Sequence, residues 1–229
     1  MGRRALRNNY RNLDLSNHLL ETDDLPQPWN ATSIFGRAAP LEIEIGSGKG
    51  MFLKSAAQQF PERNFLGIEI ARKYTYFTAA RLLRAGVANA RIIHGDARPI
   101  FSMRIPDNSV DTVHVYFPDP WWKRRHKNRR VMDKYFVKEI QRTLVPGGQL
   151  HFWTDVEEYF QASLKMMDEE TQLSGPFEVA PRDPEHDLDY RTHFERRMRL
   201  HGQNVYRAIF EKSAASAIAE CVDETVRAK

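Results

Sequence analysis

The sequence predicts an α/β protein built on a doubly wound, mostly parallel sheet with helices on both faces. Three observations carry that expectation. A strand-like run ends in a glycine turn that leads straight into a helix-like run, strand-like and helix-like segments then keep alternating, and an acidic residue recurs where successive strands end. Ligands of such sheets bind beyond the carboxyl ends of the strands, so functional residues are expected there.

The elements follow from periodicity. Leu41-Glu42-Ile43-Glu44-Ile45 alternates as a strand, Gly46-Ser47-Gly48-Lys49-Gly50 turns the chain, and residues 51–60 carry apolar side chains at helical spacing. Residues 64–70 read as the next strand, 72–84 as a helix ending near Gly86, 91–94 as a third strand and 110–117 as a fourth. Residues 132–144 read as a helix, Pro146-Gly147-Gly148 as a turn, 149–154 as a strand, 156–170 as a helix and 205–210 as a late strand. The first forty residues are polar and broken by Pro26, Pro28 and Pro40, so folded structure is expected to begin at Leu41. The expected organisation is a partly irregular arm over 1–40, one domain over 41–212 and an Ala-rich tail over 213–229.

With 229 residues, 41% hydrophobic and 28% charged, the chain can bury one sizeable core. No stretch is long and apolar enough for a membrane helix, and the first residues lack the apolar segment of an export signal. The single Cys221 cannot form an intrachain disulfide and has no cysteine neighbours for a zinc site. A cytoplasmic protein with no membrane partner is expected. Lysine and arginine number 34 against 30 acids, a formal charge of only +4, but the distribution is uneven. Lys123, Arg124, Arg125, Lys127, Arg129 and Arg130 crowd into one short segment and Arg3, Arg4, Arg7 and Arg11 load the N-terminus, while acids gather at 155–170 and 183–189. This asymmetry fits a polyanionic partner; the competing reading is a solvated basic face.

The glycine loop lets backbone approach a ligand that side chains would exclude. A Walker loop would need glycine at position 43 and serine or threonine at position 50, where Ile43 and Gly50 stand, and the dinucleotide pattern fails as well. Three glycines spaced as G-x-G-x-G after a strand bearing an acid resemble instead the first motif of class I S-adenosylmethionine-dependent methyltransferases. Glu69 then sits where a carboxylate can accept both ribose hydroxyls of an adenosyl group. Asp96, in Gly95-Asp96-Ala97, could accept from an adenine amino group while Ala97 offers its N–H, or it merely makes a turn. The segment from Tyr116 to Arg130 places Asp119 between two prolines, then Trp121 and Trp122, then the basic run. Carboxylate, aromatic surface and phosphate-binding cations thus come together at the expected crevice.

These residues carry a more specific resemblance, to the bacterial tRNA (guanine-N7-)-methyltransferases. The matching features are the Glu44 to Gly50 loop, Glu69, Gly95-Asp96-Ala97, Phe117-Pro118-Asp119-Pro120-Trp121, Trp153-Thr154-Asp155 and Thr192-His193-Phe194-Glu195. The resemblance implies a Rossmann-like fold, S-adenosyl-L-methionine as cofactor, and methylation of N7 of a guanine in the variable loop of tRNA. It implies a cofactor site of Glu44, Gly46, Gly48, Gly50, Glu69, Asp96, Ala97 and Asp119. It further implies substrate contacts from Lys123, Asp155, Thr192, His193, Phe194 and Glu195, and RNA contacts from Arg125, His126, Lys127, Asn128, Arg129 and Arg130. His193 departs from the lysine or arginine expected there, and a mostly neutral side chain attracts phosphate less. The arm to Pro40 matches no motif, and the sequence does not distinguish a monomer from a homodimer.

Guanine N7 carries an in-plane lone pair, so its attack on a sulfonium methyl requires no prior deprotonation. Catalysis then rests on positioning and on carboxylates that favour charge developing on the purine, with Asp119 the candidate; it could instead hold the guanine amino edge or the cofactor. Three alternatives stay open. A small-molecule methyltransferase would not need the basic cluster, and a noncatalytic RNA-binding protein would not need acids at three strand ends. An exocyclic-amine RNA methyltransferase is the nearest alternative, since Asp119-Pro120-Trp121 resembles the Asp-Pro-Pro-aromatic motif of those enzymes, although the order Pro118-Asp119-Pro120 differs.

Overall fold

The computed structural model describes residues 10, 12–121, 125, 130–179 and 204–214. Eight strands in this part form one sheet. In chain order they are β1 (Leu19–Glu21), β2 (Leu41–Ile45), β3 (Asn64–Glu69), β4 (Ala90–His94), β5 (Val110–Tyr116), β6 (Leu144–Thr154), β7 (Ser174–Phe177) and β8 (Tyr206–Glu211). Across the sheet the order is β1-β4-β3-β2-β5-β6-β8-β7. All pairings from β1 to β6 are parallel, and β8 joins β6 and β7 antiparallel. The expected doubly wound α/β sheet is therefore observed.

The helices are α1 (Ala31–Phe35), α2 (Met51–Gln59), α3 (Arg72–Arg84), α4 (Ala97–Met103), α5 (Lys134–Thr143) and α6 (Glu157–Glu170). Alternation along β2 sends Leu41, Ile43 and Ile45 into a core that α4, α5 and α6 complete with Phe101, Phe136, Ile140, Tyr159 and Met167. Phe52, Leu53, Ala79 and Leu82 of α2 and α3 complete a second core on the opposite face. Helices thus cover both faces, as parallel strands require.

The order reverses at β2, whose neighbours β3 and β5 continue the chain in opposite directions. A crevice opens at such a switch point, beyond the carboxyl ends of the strands. Two expectations need correction. Ordered structure begins before Leu41, because Leu19, Leu20 and Glu21 pair in register with Ile92, Ile93 and His94 and extend the sheet by one edge strand. The strand expected at 149–154 starts at Leu144, which pairs with Val110 before a register shift carries the ladder past Pro146-Gly147-Gly148.

Candidate active site

A cleft of about 580 Å³ lies at the switch point, in the size range of sites that enclose small molecules. Gly46, Gly48, Glu69, Asp96, Ala97 and Asp119 line it together, although they come from the ends of four different strands. The glycine loop is held in place by Glu69. One carboxylate oxygen accepts the Gly48 N–H at 2.8 Å and the other the Ala71 N–H at 2.7 Å. Two of its roughly four lone-pair positions are thereby used, which leaves capacity for a ligand diol. Burial raises the Glu69 pKa and the nearby Asp119 charge raises it further, while backbone donors of Ala71, Gly48 and Ile70 act against the shift.

Glu44 lies beneath the loop rather than on the cleft wall, and only 3% of it is exposed. Burial pushes its carboxyl up to about 8, partly offset by Ser47 and reinforced by the Glu69 charge. Its Oε2 has no hydrogen-bond partner. Stacked acids that repel one another, one with an orphaned oxygen, suit a ligand bringing positive charge, as a sulfonium with an amino-acid ammonium does.

Gly50 differs from its place in the expected cofactor set. It does not line the cleft; it opens α2 in the left-handed region, at φ +63°. A Cβ there would stand 2.3 Å from Thr78 Cγ2, while the Thr78 hydroxyl donates to the Gly48 carbonyl at 3.0 Å. Gly50 therefore lets the loop seat on α3, and its contribution to the cleft is indirect.

Asp96 caps α4. Its side chain accepts the Arg98 N–H at 3.0 Å and pairs with the Arg98 guanidinium at 3.1 Å, and the residue also lines the cleft. Ala97 opens the same helix, where backbone donors lack intrahelical acceptors.

β5 ends at Tyr116 on the cleft floor. The Tyr116 hydroxyl shares a hydrogen bond with His114 Nδ1 at 2.8 Å, and the other ring nitrogen of His114 meets Glu42 at 2.7 Å, so a buried polar chain fixes this strand end. The backbone beyond it is strained: Phe117 and Trp121 adopt φ of +50° and +43°, which costs on the order of 1–3 kcal/mol per side chain-bearing residue. Between them Asp119 is exposed at the cleft mouth. Such strain persists only where surroundings over-determine it, and it gathers at functional sites.

Asp155 follows the end of β6, half-buried and away from the cleft lining. Arg125 is exposed. Arg130, expected to face RNA, instead turns inward: its Nε donates to the Pro120 carbonyl at 2.8 Å and its guanidinium lies 4.6 Å from the centre of the Tyr159 ring. Lys123, His126, Lys127, Asn128, Arg129, Thr192, His193, Phe194 and Glu195 lie outside the described residues. The cleft also takes in Trp121, expected there as aromatic surface, together with Ile70, Tyr74, Arg98 and Val131, which sequence reasoning missed. For Ile70 a signal existed, an apolar residue directly after a strand-end acid that is left 69% exposed.

A parallel sheet reversing at β2, a glycine loop over a buried acid, and carboxylates at the neighbouring strand ends together define a class I methyltransferase. The comparisons agree. A family model described as "Putative methyltransferase" matches residues 38–208. The 16S rRNA methyltransferase KamB shares the fold, at 17% identity and a TM-score of 0.56 over 79% of this chain and 91% of its own. The tRNA (guanine-N(7)-)-methyltransferase of Rhodopirellula baltica is 47% identical over 93% of this chain and 80% of its own length. The enzyme of the same name from Alcanivorax borkumensis is 39% identical over 81% and 77%. The chain belongs to the tRNA (guanine-N7-)-methyltransferase family.

Proposed function

We propose that this protein transfers a methyl group from S-adenosyl-L-methionine to N7 of a guanine in the variable loop of tRNA. The observation that carries the reading is the convergence of Glu69, Asp96 and Asp119 with Gly46 and Gly48 on one cleft, whose outer lip leads into the basic run. When bound, the cofactor would supply an electrophilic sulfonium methyl, whose transfer to N7 would leave the positive charge on the purine and a neutral thioether on the cofactor. Glu69 would accept the ribose hydroxyls and Asp96 and Ala97 would meet the adenine edge, while Glu44, buried beneath the loop, supports the loop from outside the cleft lining. Asp119, exposed at the mouth, favours the charge that develops on the guanine and acts as a preorganised group rather than a base, since N7 carries no proton to remove.

Lys123, Asp155 and Thr192 to Glu195 hold the guanine in this reading, and the cations from Arg125 to Arg129 contact phosphates and set register without reading bases. tRNA as substrate makes the cytoplasm the site of action. No described helix is long and apolar enough to cross a membrane. The test is to incubate the protein with unmodified tRNA and methyl-labelled cofactor, digest the RNA and map the label. The expected product is 7-methylguanosine at one variable-loop position; label on another atom or on no RNA refutes the reading.

A further inference from the structure

Arg130 sits at the end of a cationic run, yet its side chain is committed to the protein. The chain leaves the cleft at Pro120-Trp121 and returns at Arg130-Val131, and the Arg130 Nε to Pro120 carbonyl bond of 2.8 Å bridges departure and return. The guanidinium at this bridge lies over Tyr159 of α6. Tyr159 is 1% exposed, and its hydroxyl accepts the Met132 N–H at 3.3 Å, so the platform is itself fixed to the returning chain at Met132. Pro120 follows Asp119 directly and sits between the two left-handed residues, Phe117 and Trp121. On the other side, the Phe117 N–H donates to the Trp153 carbonyl at 2.8 Å. The Asp119 turn is therefore held at one end by the sheet and at the other by Arg130.

Resting on the functional reading above, we propose that Arg130 is a positioning residue for methyl transfer. It closes the neck of the basic loop and holds Asp119 at the cleft mouth, while the cations farther along the loop attract RNA. A planar guanidinium is required, because it lies on an aromatic face while an in-plane N–H reaches a carbonyl; a lysine ammonium supplies the charge but not both contacts in that geometry.

The test compares Arg130→Lys, Arg130→Gln and, as a control for phosphate contact, Arg125→Gln. Methylation of one tRNA is followed at several salt concentrations, alongside cofactor binding and melting temperature. Both Arg130 variants are expected to lower kcat roughly 10- to 100-fold, the scale of a small misplacement of a reacting group, with KM for tRNA and the salt slope unchanged. Arg125→Gln should instead raise KM and flatten the log-log salt slope by about 0.7–0.9. Tyr159→Leu should lower kcat as Arg130→Lys does, and the double variant should be no slower than the slower single one, because both disable the same bridge. Normal kcat in Arg130→Lys overturns the proposal. So does a KM and salt-slope effect without loss of kcat in Arg130→Gln, which would make Arg130 an RNA contact, or a lower melting temperature with unchanged kcat per folded molecule. A wild-type protein inactive on tRNA overturns the functional reading first, and this proposal with it.

Discussion

Replacing Glu44 with glutamine removes a carboxyl that the fold holds protonated near neutral pH. Burial raises this group to about 8 from an ordinary value near 4.5. Between those values the folded chain keeps the proton and the unfolded chain releases it, so the unfolded state binds fewer protons and stability falls as pH rises. The contribution is absent below the unfolded value and fully expressed above the folded one. Each pH unit in the window costs about 1.4 kcal/mol, so raising the pH from about 5.5 to about 7.5 should cost wild type roughly 3 kcal/mol from this site alone. For a chain of this size that is about 5–10 °C of melting temperature. Glu42 and His18 also titrate with shifted pKa values, but they are common to both proteins and cancel in the difference. Absolute stability is a poor readout, because a buried glutamine amide needs partners of its own. The assay is thermal denaturation of cofactor-free wild type and Glu44→Gln across that pH range. The melting temperatures should diverge in favour of the variant as pH rises; parallel curves would refute the protonated, buried Glu44.

Glu69→Ala should weaken S-adenosylmethionine binding by about 1.5–3 kcal/mol, roughly 10- to 150-fold by calorimetry, while tRNA affinity barely changes. Gly50→Ala should destabilise the fold by at least 1 kcal/mol, from its positive φ and the clash with Thr78, and Thr78→Ala should recover only the clash, a partial rescue visible in a denaturant double-mutant cycle.

Much of this architecture is legible in the sequence because its strands are long enough to show a pattern and lie between helices of strong periodicity. α3 is expected at 72–84 and found at Arg72–Arg84. What escapes is short or breaks local rules. β1 has three half-buried residues, too few to show alternation, and exists only because β4 offers an edge. α4 has seven residues with Pro99 in its first turn, so Asp96 was readable as a turn residue and its capped helix was not. β7 contains Gly175-Pro176, which only an edge strand tolerates. Within the site, residue types at strand ends locate Glu69, Asp96 and Asp119, because topology alone brings those ends together. Periodicity cannot show that Glu44 points beneath the loop, that Gly50 faces Thr78, or that one arginine of a basic run turns inward, since each depends on a partner distant in sequence.

The claim that N7 is the acceptor is tested most directly by a tRNA carrying 7-deazaguanine at the target position, with Asp119→Asn assayed alongside on normal tRNA. The substitution replaces N7 by C–H and removes the nucleophilic lone pair while keeping the Watson-Crick edge and every phosphate. This tRNA is expected to bind with near-normal affinity and accept no methyl group, and Asp119→Asn to turn over about 10- to 1000-fold more slowly on the normal substrate. Methyl transfer to the deaza substrate would contradict the N7 assignment and point to an exocyclic amine, which that substrate retains.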